Sequence, residues 1–439
     1  MVVARSSQAV IGASDALMTA PLGEAPVAAV TTGAMNAYAL VIVPMGVAFM
    51  VQSFAAQLSA RGEVGAARRY AWYGLMVTAA VVVAAVASTP LIGPLLSLLP
   101  FEPDVRGLMT SYLTIRMFAL GGFIGTEALG NWFGGLGNTR LQMIAGVLAM
   151  VVNVFLNWVL IFGNLGAPAM GVEGAAWASV VASWSGFAFL AVVFAMHVRS
   201  SRDEAGPLQL GEIKRLLRFG VPNGFNWFLE FAAFIVFLNV IVADLGTTVL
   251  AAMMVVININ SVSFMPAFGL SSSGAILAGQ AIGSGRRDDV PAILKTTMAV
   301  TATWQGLVGL AYLLLPTLLM SQFQPDSADT TMVELGAVML AISAAWQLFD
   351  SVTLTTSETL RAAGDTSFTM WARLCVAWGF FAPGAYFHVR SYDGGYVAAM
   401  LWLVAYTAIL AAVFALRFRN GAWRKIDLTG EDEEALPAA

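Results

Sequence analysis

Five carboxylates lie in stretches otherwise too apolar to meet water: Asp15, Glu127, Glu230, Asp350 and Glu358. A charge at the centre of a bilayer costs at least about 2.5–3.5 kcal/mol, so acids in such places are functional candidates by default. The chemistry open to them is reversible cation binding. Burial in a low dielectric favours the neutral acid, and a nearby cation favours the ionised form. One carboxylate can therefore hold H+, Na+ or an organic cation by turns. Glu230 and Asp350 are the strongest pair, each well inside its stretch, and are a candidate Na+ site. The alternative is a pair of structural acids hydrogen-bonded across helices. Asp15 is the candidate in the first half. Asn153 and Asn157, at i and i+4, share one helical face, and Asn258 is a supporting polar residue. Interhelical hydrogen bonding is the plainer role for the two asparagines. Trp346, one turn before Asp350, should line the same face. Arg116 and Glu127 are eleven residues apart, three turns, on one face but beyond pairing distance. Arg116 is expected towards the outer mouth. Glu127 is read either as a second substrate anion or as the partner of a polar residue on another helix. Glu358 is expected near the cytoplasmic end and solvated.

The elements that carry these residues follow from composition. The chain has 439 residues, 59% hydrophobic and 11% charged, with a mean hydropathy of +0.77. A soluble domain carries about 25% charged residues. In lipid only helices and closed barrels satisfy their own backbone. The runs here are continuously apolar and lack the alternation of barrel strands, so the expected fold is all-α and polytopic. Segments of roughly 20 apolar residues fall near 8–22, 33–58, 71–99, 106–134, 141–163, 174–198, 219–243, 249–280, 291–320, 331–360, 367–388 and 395–418, twelve spans in all.

Loop charge orients them. Arg61, Arg68, Arg69, Arg140, Arg199, Arg202, Lys214, Arg215, Arg218, Arg286, Arg287, Arg361, Arg417, Arg419, Arg424 and Lys425 fall in alternate connections. Glu24, Glu102, Asp104, Arg106, Glu173, Asp244, Asp326, Asp329, Arg390 and Asp393 fall in the others. The positive-inside rule makes the first set cytoplasmic, with both termini. The expected location is the cell inner membrane. The first span is anomalous: only fourteen residues precede Asp15, and Arg5, Ser6, Ser7 and Gln8 are polar. The expectation is that the start of this helix is missing from the sequence.

The chain also repeats itself. Leu22-Gly23, Ala28-Ala29, Gly46, Gln57 and Gly62 recur as Leu245-Gly246, Ala251-Ala252, Gly269, Gln280 and Gly285, at a constant offset of 223. Pro44 and Pro266 fall within one residue of this register. Gly137-Asn138-Thr139 echoes Gly364-Asp365-Thr366 at an offset of 227. Six spans per repeat give two six-helix lobes of the same orientation, related by a pseudo-two-fold along the membrane normal, as in parallel-repeat transporters. The expected divisions are an N-terminal lobe over 1–198, a cytoplasmic linker over 199–218, a C-terminal lobe over 219–420 and a tail over 421–439. Leu208–Phe219 reads as an amphipathic helix on the cytoplasmic surface.

These stretches resemble the multidrug and toxic compound extrusion (MATE) family over essentially the whole chain. The first lobe matches at Asp15-Ala16-Leu17-Met18, Ala55-Ala56-Gln57-Leu58 and Asn153-Val154-Phe155-Leu156-Asn157. The second matches at Phe219-Gly220-Val221-Pro222 leading to Glu230, Gly279-Gln280-Ala281-Ile282-Gly283, Asp350 running to Leu360-Arg361, and Gly364-Asp365-Thr366. The resemblance implies a V-shaped pair of lobes exporting organic cations and amphipathic compounds in exchange for Na+ or H+. It carries a coupling role onto Glu230 and Asp350 and points to the NorM-like branch, often Na+-coupled. It sets Asn153 and Asn157 facing Asp15. Some members carry aspartate where Asn157 stands and threonine where Ser179 stands. The amide removes one charge, which favours a polar cluster setting the proton affinity of Asp15 over a first-lobe Na+ site. Trp346 stands where the NorM-like pattern often has tyrosine. An indole offers no oxygen ligand, yet its π face can hold an organic cation by up to about 2 kcal/mol.

The remaining residues narrow the function classes. Among aromatics and methionines, Phe49, Phe54, Trp227, Phe231, Phe264 and Met265 are candidates to line a drug cavity. One cysteine and two histidines exclude an internal disulfide and make haem or zinc chemistry untenable. No His-Glu-x-x-His or Gly-x-Ser-x-Gly occurs, so an intramembrane enzyme ranks last, and no cofactor or ATP site is expected. A lipid-linked oligosaccharide flippase of the same superfamily is the second transport reading. It would favour a basic cavity, whereas membrane carboxylates outnumber buried bases here. The expected partners are small-molecule drugs or metabolites and membrane lipid, with no nucleic acid, for a monomer. Reporter fusions at Arg68, Asp203 and Arg287 should read cytoplasmic, and fusions at Glu102, Asp244 and Asp326 external. Because the span count ties all six together, one inversion breaks the twelve-span topology.

Overall fold

The structure is a computed structural model that describes residues 2–98, 101–200, 206–323, 330–391 and 394–430. Expectations on Arg202, Asp203, Asp326, Asp329, Asp393 and the end of the tail fall outside the described residues, as does the Arg5 side chain.

The described residues are helical, with no strand. Two compact units form, Val3–Gly224 and Phe225–Ala439. In the first, α1 is Val2–Thr19, α2 Glu24–Ala60, α3 Val64–Ser88 and α4 Ile92–Ser97. They are followed by α5 Pro103–Arg116, α6 Ala119–Gly135, α7 Thr139–Phe162 and α8 Val172–Ser200. Helix α9, Leu210–Val236, crosses the boundary. The second unit holds α10 Thr247–Gly283, α11 Val290–Leu314, α12 Pro316–Ser321 and α13 Thr331–Ala362. It ends with α14 Thr366–Leu374, α15 Ala382–Ser391 and α16 Gly395–Arg419. Nine of the described helical stretches are long and apolar enough to cross a membrane, and the α5–α6 pair, bent by 44°, makes a tenth. Helix α1 and the helical run from α14 to α15 complete the twelve-span, two-lobe fold.

The repeat is visible in the backbone. A short 3-10 turn, Ala20–Leu22 or Ala243–Leu245, leads into a 37-residue helix in each unit. The entry residue is Gly23 at φ 112° or Gly246 at φ 108°. An L side chain is strained at such angles, so the two glycines of the repeated Leu-Gly are required by the turn. Pro44 and Pro266 sit inside these long helices.

Two irregularities break the symmetry. The α5–α6 bend has no counterpart in the continuous α13. Both α9 and α14 run on into π-helical segments, Phe237–Val242 and Cys375–Phe381. Such segments shift the register of the residues around them.

The expected surface helix over Leu208–Phe219 is not a separate element: from Leu210 onward the chain runs straight into α9. Its start is anchored to α3. Arg69 donates Nε and Nη2 to Glu212 at 2.7 and 2.6 Å, and the Tyr73 hydroxyl donates to the same carboxylate at 2.7 Å. The Gln209 N–H donates to Tyr73 Oη at 2.7 Å. Further on, Gly220 and Gly224 lie against the backbone of α2 at Val47 and Val43. Asn223 donates to the Gly46 carbonyl at 2.9 Å. A Cβ on Gly46 would overlap the Gly224 backbone. Gly46→Leu should therefore lower the apparent melting temperature in detergent, by the equivalent of about 1–3 kcal/mol or more. Gly12→Ala, where a Cβ meets open space, should leave stability unchanged or slightly raised; thermal unfolding of both variants checks the contrast.

Candidate coupling site

In the first unit α1, α7 and α8 converge on one carboxylate. Asp15 is 3% exposed. Its Oδ1 accepts from Asn157 Nδ2 at 2.7 Å and Asn153 Nδ2 at 3.1 Å, and its Oδ2 accepts from Ser179 Oγ at 2.9 Å. Asn157 Nδ2 also reaches Asn153 Oδ1 at 3.2 Å. The i, i+4 spacing on α7 lets both amides reach the same oxygen. Beside this cluster, Ser14 Oγ, Tyr112 Oη, Arg116 Nη1 and Asn157 Oδ1 are buried without a hydrogen-bond partner in the protein. Arg116 ends α5, and the bend there leaves it within electrostatic reach of Asp15 and Tyr112. Sequence spacing gives no sign of that proximity. Glu127 is a partnered acid: Gln8 Nε2 of α1 donates to it at 2.9 Å and Asn131 Nδ2 at 3.0 Å.

In the second unit each of the two candidate acids has its own protein partner. Asp350, on α13, accepts from Gln305 Nε2 of α11 at 2.8 Å. Gln305 Oε1 and Thr301 Oγ1 are buried without partners. The neighbouring Thr296, Thr297 and Thr303 all donate to the carbonyl four residues back, so Thr301 is held apart from the usual helical bond. Glu230 is ion-paired with Arg373, the last-turn arginine of α14. Arg373 Nε donates to Asn226 Oδ1 at 2.8 Å, and Nη1 to Tyr406 Oη at 3.4 Å. Sequence reasoning missed Arg373. The signal was present: a lone arginine well inside the expected span over 367–388. Among the described residues no group of three or more His, Cys, Asp or Glu could hold a metal.

The expectations for Asn258 and Glu358 need correction. Asn258 is exposed, and the polar network gathers on Asn260 instead. Two residues apart on a helix means about 200° of rotation, hence opposite faces. Asn260 accepts from Gln347 Nε2, whose Oε1 accepts from Ser263 at 3.1 Å. Trp346 packs against the apolar core of its unit. Glu358 is not solvated: it is 3% exposed and bonded to Arg361 Nη2 at 2.6 Å. Arg361, read as a loop charge, is itself 2% exposed in the last turn of α13. Phe49 and Phe54 are core residues at 1% and 0% exposure. Phe264 stacks on Phe268 at 5.9 Å, and Trp227 meets the same ring edge-on.

A sequence model of the MatE family matches residues 1–159 and 222–387, well over half of the chain. The chain belongs to the MatE family. Similar relatives include a "Probable multidrug resistance protein NorM" of Thermotoga maritima, 28% identical over 83% of this chain and 78% of that protein. A "Multidrug resistance protein NorM" of Burkholderia vietnamiensis is 28% identical over 95% and 91%. Among solved structures, an outward-facing multidrug resistance MATE family transporter of the MOP superfamily matches with a TM-score of 0.86. It is 18% identical over 97% of this chain and 95% of that one. Within the MatE fold the Glu358–Arg361 pair is a structural test case. Glu358→Gln leaves a buried guanidinium without its carboxylate and should cost about 3–5 kcal/mol. Glu358→Leu with Arg361→Met should cost far less. Chemical or thermal unfolding in detergent separates the two.

Proposed function

We propose that this MatE protein is a secondary antiporter of the inner membrane that exports organic cations in exchange for protons, with Asp15 as the proton-carrying group. The relatives named as multidrug resistance proteins support the substrate class. Two parallel six-helix repeats support alternating access by rocking of one lobe against the other. The observation that carries the choice of ion is the donor set at Asp15. Its oxygens are met by two amide N–H groups and a hydroxyl, whereas Na+ as a hard cation wants oxygen ligands. The ionised acid is served by these three donors. When Asp15 takes a proton it becomes a donor, and turning over the Asn157 amide would present its unpartnered Oδ1 as the acceptor for that proton. Each protonation state thus has hydrogen-bond partners at hand, as a site that must load and unload requires. Arg116 supplies a fixed positive charge nearby that biases release.

A flippase for pyrophosphate-linked lipids would need free bases inside the lobes. Arg361 and Arg373 are each committed to a carboxylate, and Arg116, whose Nη1 has no hydrogen-bond partner, lies within electrostatic reach of Asp15, so the antiporter reading stands ahead.

Efflux of a fluorescent organic cation from proteoliposomes tests it. An imposed pH gradient should drive efflux in the absence of Na+, and a Na+ gradient alone should not. Asp15→Asn should lower gradient-driven efflux by at least about tenfold per folded molecule. Efflux driven by Na+ alone, or full pH-driven efflux in folded Asp15→Asn, would overturn the assignment.

A further inference from the structure

The interior of the second lobe contains a positive charge that the cation chemistry of Glu230 and Asp350 does not anticipate. Arg373 is 4% exposed, and two other helices hold its fork. Glu230 and Asn226, one turn apart on α9, take Nη1 and Nε. The Tyr406 hydroxyl of α16 takes Nη1 from another side, and the guanidinium carbon lies 5.9 Å from the centre of the Phe414 ring. A guanidinium does not lose its proton in a protein, so this charge is permanent. Glu230, by contrast, is about half exposed, with a side-chain exposure of 47%. A half-exposed carboxylate needs no buried partner for its own sake. The arginine is the deeply placed member of the pair.

We propose that Arg373 is a resident counter-cation for Glu230, which leaves the interior of the second lobe one unmatched negative charge, on Asp350, and makes it a site for organic monocations rather than for dications or Na+ shared by two acids. The charge arithmetic supports this. Glu358 is matched by Arg361 and Glu230 by Arg373. Asp350 has only the neutral Gln305 amide. Arg373 acts on Asp350 only through space. The proposal rests on the reading that organic cations enter this lobe, and it names their charge class.

The test compares ethidium with propidium, which share a ring system but carry one and two positive charges. Binding of each to purified protein in detergent is measured by fluorescence, with no ion gradient. The wild type should prefer ethidium. Arg373→Gln frees Glu230 and should shift the ratio of affinities towards propidium by on the order of tenfold. Arg373→Lys keeps the charge and should keep the ratio. Glu230→Gln combined with Arg373→Gln removes both charges together and should hold the ratio within about twofold. A purely steric role for Arg373 predicts that this double variant shifts as the single one does. An unmoved ratio in folded Arg373→Gln, or a shifted ratio in the double variant, overturns the proposal while leaving proton-coupled efflux intact. If Arg373→Gln does not fold, Glu230→Gln alone decides: it leaves the Arg373 charge uncompensated and should shift the ratio further towards ethidium, and an unmoved ratio overturns the proposal. Absence of ethidium binding to the wild type overturns the organic-cation reading and this one with it.

Discussion

A charge removed from water must find its partner inside the protein, and the rest of this structure is arranged around that requirement. Hydrocarbon offers neither hydrogen bonds nor dielectric screening, so an interior acid or base must be matched, hydrogen-bonded or put to use. The helices themselves answer the same demand at the level of the backbone. Glu358 and Arg361 meet it within one turn of α13, and Glu127 meets it through Gln8 and Asn131. Asp15 meets it with three neutral donors. Neutral donors are the arrangement that leaves a carboxylate able to change its charge, because no hydrogen-bonded ion-pair partner is stranded when it does.

The two lobes share a frame and differ in electrostatics. The same Gly-led turn, long proline-containing helix and following helix recur in each. Inside the first, the acid is surrounded by amides and a hydroxyl. Inside the second, a salt bridge and an amide-bonded acid lie side by side. Where the frame departs from symmetry, it does so next to charges. The α5–α6 bend follows Arg116, and the π segment after α14 begins two residues beyond Arg373. Trp378 within that segment donates to the carbonyl of Leu229, adjacent to Glu230. A shifted helical register is a way to bring a long side chain into a place that a regular helix would deny it.

Much of this was legible in the chain itself. Twelve apolar stretches, their charge-poor interiors and the Leu-Gly repeat at constant offset specify an all-α, two-lobe membrane fold, because lipid imposes the same local rule on every span. The acids Asp15, Glu230 and Asp350 stand out for the same reason, and the i, i+4 asparagines of α7 were visible as one face. What only the tertiary structure decided was pairing. Helix periodicity says which residues share a face but not which face meets which helix. Hence periodicity alone does not separate Asn258 from Asn260, does not show that Glu358 meets Arg361, and does not bring Arg373, far away in sequence, to Glu230. Those contacts depend on crossing helices, bends and π turns, and a Coulomb interaction is set by distance in space, about which distance along the chain says nothing.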